Sequence, residues 1–111
     1  NKKSSTSMIN NGMLREWHEN GELYLEYNMK SGIKNGACKK WYDNGQMEIL
    51  YYYSKGKLHG NQKKWYSNGI QRGEWNYQND ILHGISKEWN LDGKIKFTKI
   101  YDNGTLMSEE G

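Results

Sequence analysis

The sequence predicts an all-β fold, an elongated single-layer antiparallel meander of about eight strands built from consecutive β-hairpins. Three observations carry that expectation. Trp17, Trp41, Trp65 and Trp89 recur at a step of 24 residues, as do Gly12, Gly36, Gly60 and Gly84, and Gly21, Gly45, Gly69 and Gly93. A period in this range marks an array of one supersecondary unit. Within a unit the pattern has period two: Leu23, Leu25 and Tyr27 alternate with Glu22, Tyr24 and Glu26, as half-buried strands do. Finally, only 34% of the chain is hydrophobic and its mean hydropathy is -1.13. That is too poor for two packed layers, whereas the 14% aromatic content argues against disorder. A thin array in which each unit rests on its neighbours fits both values.

Taken in order, residues 1–11 form a polar lead-in with a partial repeat. Four 24-residue hairpins follow at 12–35, 36–59, 60–83 and 84–107, and 108–111 make a tail. Each unit opens on a glycine. Glycine inside a strand often marks close approach by a neighbour, so a ring from an adjacent strand is expected over Gly36, Gly60 and Gly84. The first turn is Glu19-Asn20-Gly21 and its equivalents ending in Gly45, Gly69 and Gly93. The second ends in Gly32, Gly56 and Gly104, with Asp80 as the one substitute; Asp tolerates the left-handed region better than most residues. These seven glycines are read as structural turn residues.

Asn-Gly usually signals a two-residue turn. Such a turn at Asn44-Gly45 would send Trp41 to the face opposite Met47, Ile49 and Tyr51. A three-residue loop with a G1 bulge pairs Trp41 with Met47 instead, and the same loop at Ser54-Lys55-Gly56 preserves parity. The expected sheet then carries Trp17, Trp41, Trp65, Trp75, Trp89, Tyr51, Tyr53 and Tyr77 on one face. The other face holds Glu26, Lys40, Lys64, Glu74 and further charges, a separation that a one-residue slip would destroy.

The run Gly-x-x-x-x-Trp-Tyr-x-Asn-Gly at Gly36–Gly45 and Gly60–Gly69, with Leu-His-Gly at Leu58–Gly60 and Leu82–Gly84, resembles the bacterial variant of the MORN repeat. His18 and Asn90 depart from it where Tyr follows Trp elsewhere. The resemblance covers Gly12 to about Met107. It implies an elongated, twisted single sheet of hairpins without catalytic residues of its own. It also implies binding roles: protein–protein contact, membrane-associated scaffolding and, for bacterial variants, antitoxin or immunity components, with a toxin as partner.

The residues give no support to an enzyme, a cofactor or a metal site. His59 and His83 share a column one unit apart, which is roughly 10 Å by strand spacing, too far for one zinc with ligands at about 2 Å. Glu26 and Glu74 stand roughly 19 Å apart by the same spacing, beyond the ~5–9.5 Å of glycosidic carboxylate pairs. Cys38 is the only cysteine and has no histidine repeating beside it to activate it. The glycines are spaced as turns rather than as a phosphate loop.

What remains is the aromatic ladder and a cation beside each ring: Arg15 with Trp17, Lys39 with Trp41, Lys63 with Trp65 and Lys87 with Trp89. These residues, with Tyr51, Tyr53, Trp75 and Tyr77, are the candidate partner-binding set. The ladder supplies cross-strand stability of ~0.2–1 kcal/mol per pair, and long Lys stems cover ring faces. The uncovered remainder is a patch of the kind that marks an interface. The modest net charge of +3 disfavours nucleic acid. The leading expectation is a protein-interaction module. The alternative is an envelope or membrane scaffold that meets anionic surfaces, and self-association through open sheet edges is a further outcome. The chain begins at Asn1 rather than Met, which leaves room for a targeting segment ahead of it and leaves cytoplasm and envelope both open.

Overall fold

The computed structural model describes residues 10–111; most of the polar lead-in lies outside the described residues. Eleven strands form one antiparallel sheet: β1 (Gly12–Trp17), β2 (Leu23–Lys30), β3 (Ile33–Trp41), β4 (Met47–Ser54), β5 (Lys57–Leu58), β6 (Gly60–Trp65), β7 (Gln71–Gln78), β8 (Ile81–Leu82), β9 (Gly84–Trp89), β10 (Ile95–Asp102) and β11 (Thr105–Glu110). Their order is β1-β2-β3-β4-β6-β7-β9-β10-β11, with β5 beside β4 and β8 beside β7. The all-β hairpin meander is as expected. The extra strands arise because the pairing is broken at His59 and His83, which sets off β5 and β8, and because the residues after the last turn form β11, with 108–110, expected as a tail, included in it. The sheet is a slab of 44 × 34 × 12 Å.

The two turns of a unit are built differently. At the first, Gly45 N–H donates to Tyr42 O at 3.0 Å and Tyr42 N–H to Gln46 O at 2.8 Å, the three-residue loop with a G1 bulge, and Trp41 pairs with Met47. The second turn corrects the expectation. Ser54 pairs with Lys57, leaving only Lys55 (φ 54°) and Gly56 (φ 82°) in the loop. Two successive positive φ angles are the signature of a type I′ turn, whose twist matches the strands it joins. Asn79 (φ 49°) and Asp80 (φ 71°) do the same without any glycine.

The face assignment also changes. Trp41 pairs with Met47, but the next pair is Lys40 with Ile49, then Lys39 with Leu50 and Cys38 with Tyr51. Glu48 is an extra residue, a second bulge, and all four units have it, at Tyr24, Glu48, Arg72 and Lys96. One extra residue inverts the parity of everything beyond it. Directly paired residues share a face. Trp17, Trp41, Trp65 and Trp89 therefore stand with Arg15, Lys39, Lys63 and Lys87 on one side, the Trp face. Tyr51, Tyr53, Trp75 and Tyr77 stand on the other, the Tyr face.

Among the described residues there is no apolar core of the usual kind. The buried hydrophobic residues are Leu14 (8% exposed) and Cys38 (7%), and the buried polar ones Gln62 (1%) and Ser86 (2%). These four form one column of the repeat on the Tyr face. Gln62 mends a gap in the ladder. Between the pairs Tyr53–Leu58 and Leu50–Lys63, β4 contributes two residues against four. Gly60 absorbs the excess at φ 92°. Its equivalent Gly36 also has positive φ, and a Cβ at either position would meet nothing within 4 Å. These glycines serve backbone conformation, and no ring lies over them. Tyr52 N–H, left without a strand partner, donates to Gln62 Oε1 at 2.6 Å, while Gln62 Nε2 donates to Tyr52 O and Gly60 O, each at 3.2 Å.

Side chains then join unit to unit. Tyr42 and Tyr66 donate their hydroxyls to Trp65 O (2.7 Å) and Trp89 O (2.8 Å). His18 performs the same task on Trp41 O at 2.8 Å, which requires its Nε2 to carry the proton. Asn20 and Asn44 each accept from the N–H two residues on and donate to the next unit's turn, at Asp43 O (2.8 Å) and Ser67 O (2.9 Å). At the opposite edge, turn N–H groups of Gly32, Gly56, Asp80 and Gly104 donate to Asn10, Lys34, Leu58 and Leu82 carbonyls at 2.7–3.0 Å.

Gln62→Leu strands the Tyr52 N–H and is expected to cost ~1–3 kcal/mol, the penalty for an unpaired buried donor. Ser86 Oγ is buried with no hydrogen-bond partner, so Ser86→Ala is expected to be neutral or stabilising. Denaturant titration of both variants checks the pair; equal destabilisation would contradict the hydrogen-bond account.

Candidate functional site

The Trp face carries a continuous row of cross-strand pairs. Arg15 pairs with Glu26, Glu26 with Lys39, Lys39 with Leu50, Leu50 with Lys63, Lys63 with Glu74, Glu74 with Lys87, Lys87 with Thr98, and Thr98 with Glu110. The cation row expected from the sequence exists, but it is interrupted. Glu26 and Glu74, expected on the opposite face, sit between the cations because of the second bulge. Arg15 Nε donates to Glu26 Oε2 at 2.7 Å. With the Arg side chain 48% exposed, that pair contributes little to stability. The middle of the row is different: Lys39 and Lys63 flank Leu50, so two cations face each other across an apolar residue without an interposed acid.

A second row on this face runs through the tryptophans, with Trp17 paired to Leu23, Trp41 to Met47, Trp65 to Gln71 and Trp89 to Ile95. Its outer members are open to solvent, as are Met13, Tyr52, Ile85 and Ile100 on the same face. The sequence reading missed Glu26, Leu50 and Glu74 as members of the site. The available signal was their shared 24-residue step, which places 26, 50, 74 and 98 in one column.

The Tyr face collects the rest of the candidate set around a half-open cleft of about 240 Å³, lined by Tyr51, Leu58, Gln62, Lys64, Trp75 and Tyr77. Gly73 makes room for one of its walls, because a Cβ there would collide with the Trp75 ring. Cations on this side lie over rings: Lys34 is 5.1 Å from the Tyr27 centroid and 5.2 Å from Tyr53, and Arg72 is 5.4 Å from Tyr66. Such contacts are worth ~0.5–1 kcal/mol when exposed.

Burial pushes the Tyr51, Tyr53 and Tyr77 hydroxyls above the ordinary tyrosine range, and neighbouring ionisable groups push the same way. Burial likewise raises the Cys38 thiol, against opposing pulls from Lys34 and Lys40. Cys38 is thus a protonated structural thiol at neutral pH, packed beside Tyr51 and Tyr27. Two of the histidine side chains have backbone partners: His18 reaches Trp41 O, and His83 Nδ1 accepts from Asn103 N–H at 3.1 Å.

For a tyrosine whose folded pKa is raised, the stabilising contribution is fully present below the unfolded pKa and is lost as pH rises through the folded one. Stability is therefore expected to be level through neutral pH and to fall above about pH 10, with a shallower fall in Tyr51→Phe. Denaturation midpoints measured against pH check this; an unchanged slope in the variant would show that the hydroxyl is not desolvated.

The repeat geometry agrees with comparison to known families. The MORN repeat variant matches four times in tandem, at residues 10–31, 34–55, 58–79 and 82–103. No curated protein and no solved structure matches the chain. With four matched copies covering most of its length, the chain belongs to the MORN repeat variant family, whose repeats are generally binding modules rather than catalytic units.

Proposed function

We propose that this protein is a non-enzymatic protein-interaction module of the antitoxin or immunity type, and that its partner is a protein lying against the Trp face. The observation behind this reading is the Arg15–Glu26–Lys39–Leu50–Lys63–Glu74–Lys87 row with tryptophans alongside. Aromatic rings next to charges of both signs suit a protein surface, where charge pattern sets register and partner choice. An anionic membrane or a nucleic acid presents one sign only. Against it Glu26 and Glu74 would be repelled and the favourable charge reduced. The scaffold alternative is therefore weaker than the bare cation column suggested. The Tyr face offers a cleft but no acid–base pair or metal-ligand cluster among its lining residues, which supports a binding role over a catalytic one.

Leu50 and Ile49 are neighbours in β4 that project to opposite faces. A photocrosslinking amino acid placed at each in turn, in the native source, tests the reading. The expected result is a defined protein adduct from position 50 and none from position 49. An adduct from position 49 alone would move the interface to the Tyr face. Absence of any protein adduct, together with low-salt binding to anionic vesicles that Lys39→Glu/Lys63→Glu abolishes, would establish the scaffold instead.

A further inference from the structure

We propose that the Trp face is self-complementary, and that two copies of the chain pack these faces together about a two-fold axis that runs parallel to the strands between β4 and β6. The inference rests on the Trp face being protein-binding and names a second copy as its occupant. Such an axis reverses the order of the charge row on the second copy while keeping each row opposite itself. Lys39 then faces Glu74 of the other copy, Glu26 faces Lys87, and Leu50 faces the aliphatic stem of Lys63. Symmetry makes each contact twice, as an isologous interface requires.

The register is selective. Sliding one copy by a single strand, so that the axis falls on β4, sets Lys39 against Lys63, Arg15 against Lys87 and Glu26 against Glu74. Every charge is then opposed by its like, an arrangement that is strongly penalised across an interface. The tryptophan row answers in the same favoured register. Trp65 meets Met47, Trp89 meets Leu23 and Trp17 meets Ile95, three rings against aliphatic side chains, while Trp41 meets the amide side chain of Gln71. Hydrophobic exposure points the same way, with Trp17 38% and Ile95 50% exposed on this face.

Shape and area agree. Adjacent strands usually rotate by roughly 20–25°, and many-stranded flat sheets are typically stabilised by stacking or side-chain ladders. Nine strands in a slab only 12 Å thick have accumulated little of that twist, and a flat face can be covered by another. Stable dimers bury ~800 Å² per partner; a face of 44 × 34 Å supplies that when about half of it is covered.

Sedimentation equilibrium of the full chain is expected to give twice the 13.1 kDa chain mass. Lys39→Glu and Glu74→Lys should each weaken the dimer about 100-fold, because each opposes like charges in a specified pair. The double variant Lys39→Glu/Glu74→Lys should restore it, with circular dichroism confirming the fold throughout. A monomeric wild type overturns the proposal, as does a double variant that stays monomeric though folded. A second measurement needs no charge reversal: a photocrosslinker at Leu50 should give a self-adduct mapped to the β6 segment around Lys63, and one mapped elsewhere overturns the register. A monomer that still yields a foreign protein adduct from position 50 would defeat the dimer alone and leave the interaction-module reading standing.

Discussion

A one-layer sheet has no second layer against which to bury its apolar residues, so cohesion has to be carried sideways, from each unit to the next. The structure meets this constraint chiefly with hydrogen bonds at fixed offsets. Tyr42 and Tyr66 reach the carbonyls of Trp65 and Trp89, the asparagines of the Asn-Gly turns reach the following turn, and type I′ turn amides reach back to the preceding unit. Each bond has modest net worth, ~0.5–1.5 kcal/mol, but the set recurs along the array. Nearest-neighbour coupling of this kind is what makes a repeat stack cooperative without a core. It also explains why the deepest side chain, Gln62, is an amide: at that depth the need is to complete a broken backbone ladder rather than to fill volume.

The units, their turns and the first loop type were legible in the sequence because each leaves a residue signature at the 24-residue step. The second bulge was not. Its extra residue is Tyr24, Glu48, Arg72 or Lys96, four side chains with nothing in common, because a bulge at this point asks only for room and a local kink. The buried column is equally silent, since Leu14, Cys38, Gln62 and Ser86 share no chemistry. Without the bulge, parity assigned the tyrosines to the tryptophan side and Glu26 and Glu74 away from the cations. A single undetected residue per hairpin thus turned a charge-alternating face into an apparently basic one, and with it the apparent nature of the partner.

Departures from the repeat show how much tolerance each position has. His18 replaces a tyrosine and keeps its bond to the next tryptophan carbonyl, because an imidazole N–H and a phenol O–H both donate across that distance. Asp80 replaces a glycine and keeps both the left-handed backbone and the bond to Leu58 O; its carboxylate also accepts from Leu58 N–H at 2.7 Å. Asp92, by contrast, retains the turn-closing bond to Lys94 N–H at 3.0 Å but has no N–H with which to donate onward. The sequence therefore conserves the donor or the φ angle a position needs in some units and relinquishes it in others.

Inverting the parity twice, once at each bulge of the first turn, has a consequence for recognition. The tryptophans and the Arg15–Lys87 column are held on the same side by an unbulged first strand, so their relative spacing does not depend on the loops. The residues opposite them come from second strands whose faces the second bulge decides. That division separates a rigid set of rings and cations from an interchangeable set, Glu26, Leu50, Glu74 and Thr98, that sets the charge pattern between them. A charge introduced at Leu50 or Thr98 would alter which surfaces the row accepts while leaving the hydrogen bonds between units untouched. Partner choice and stability are in this way written in different columns of the same repeat.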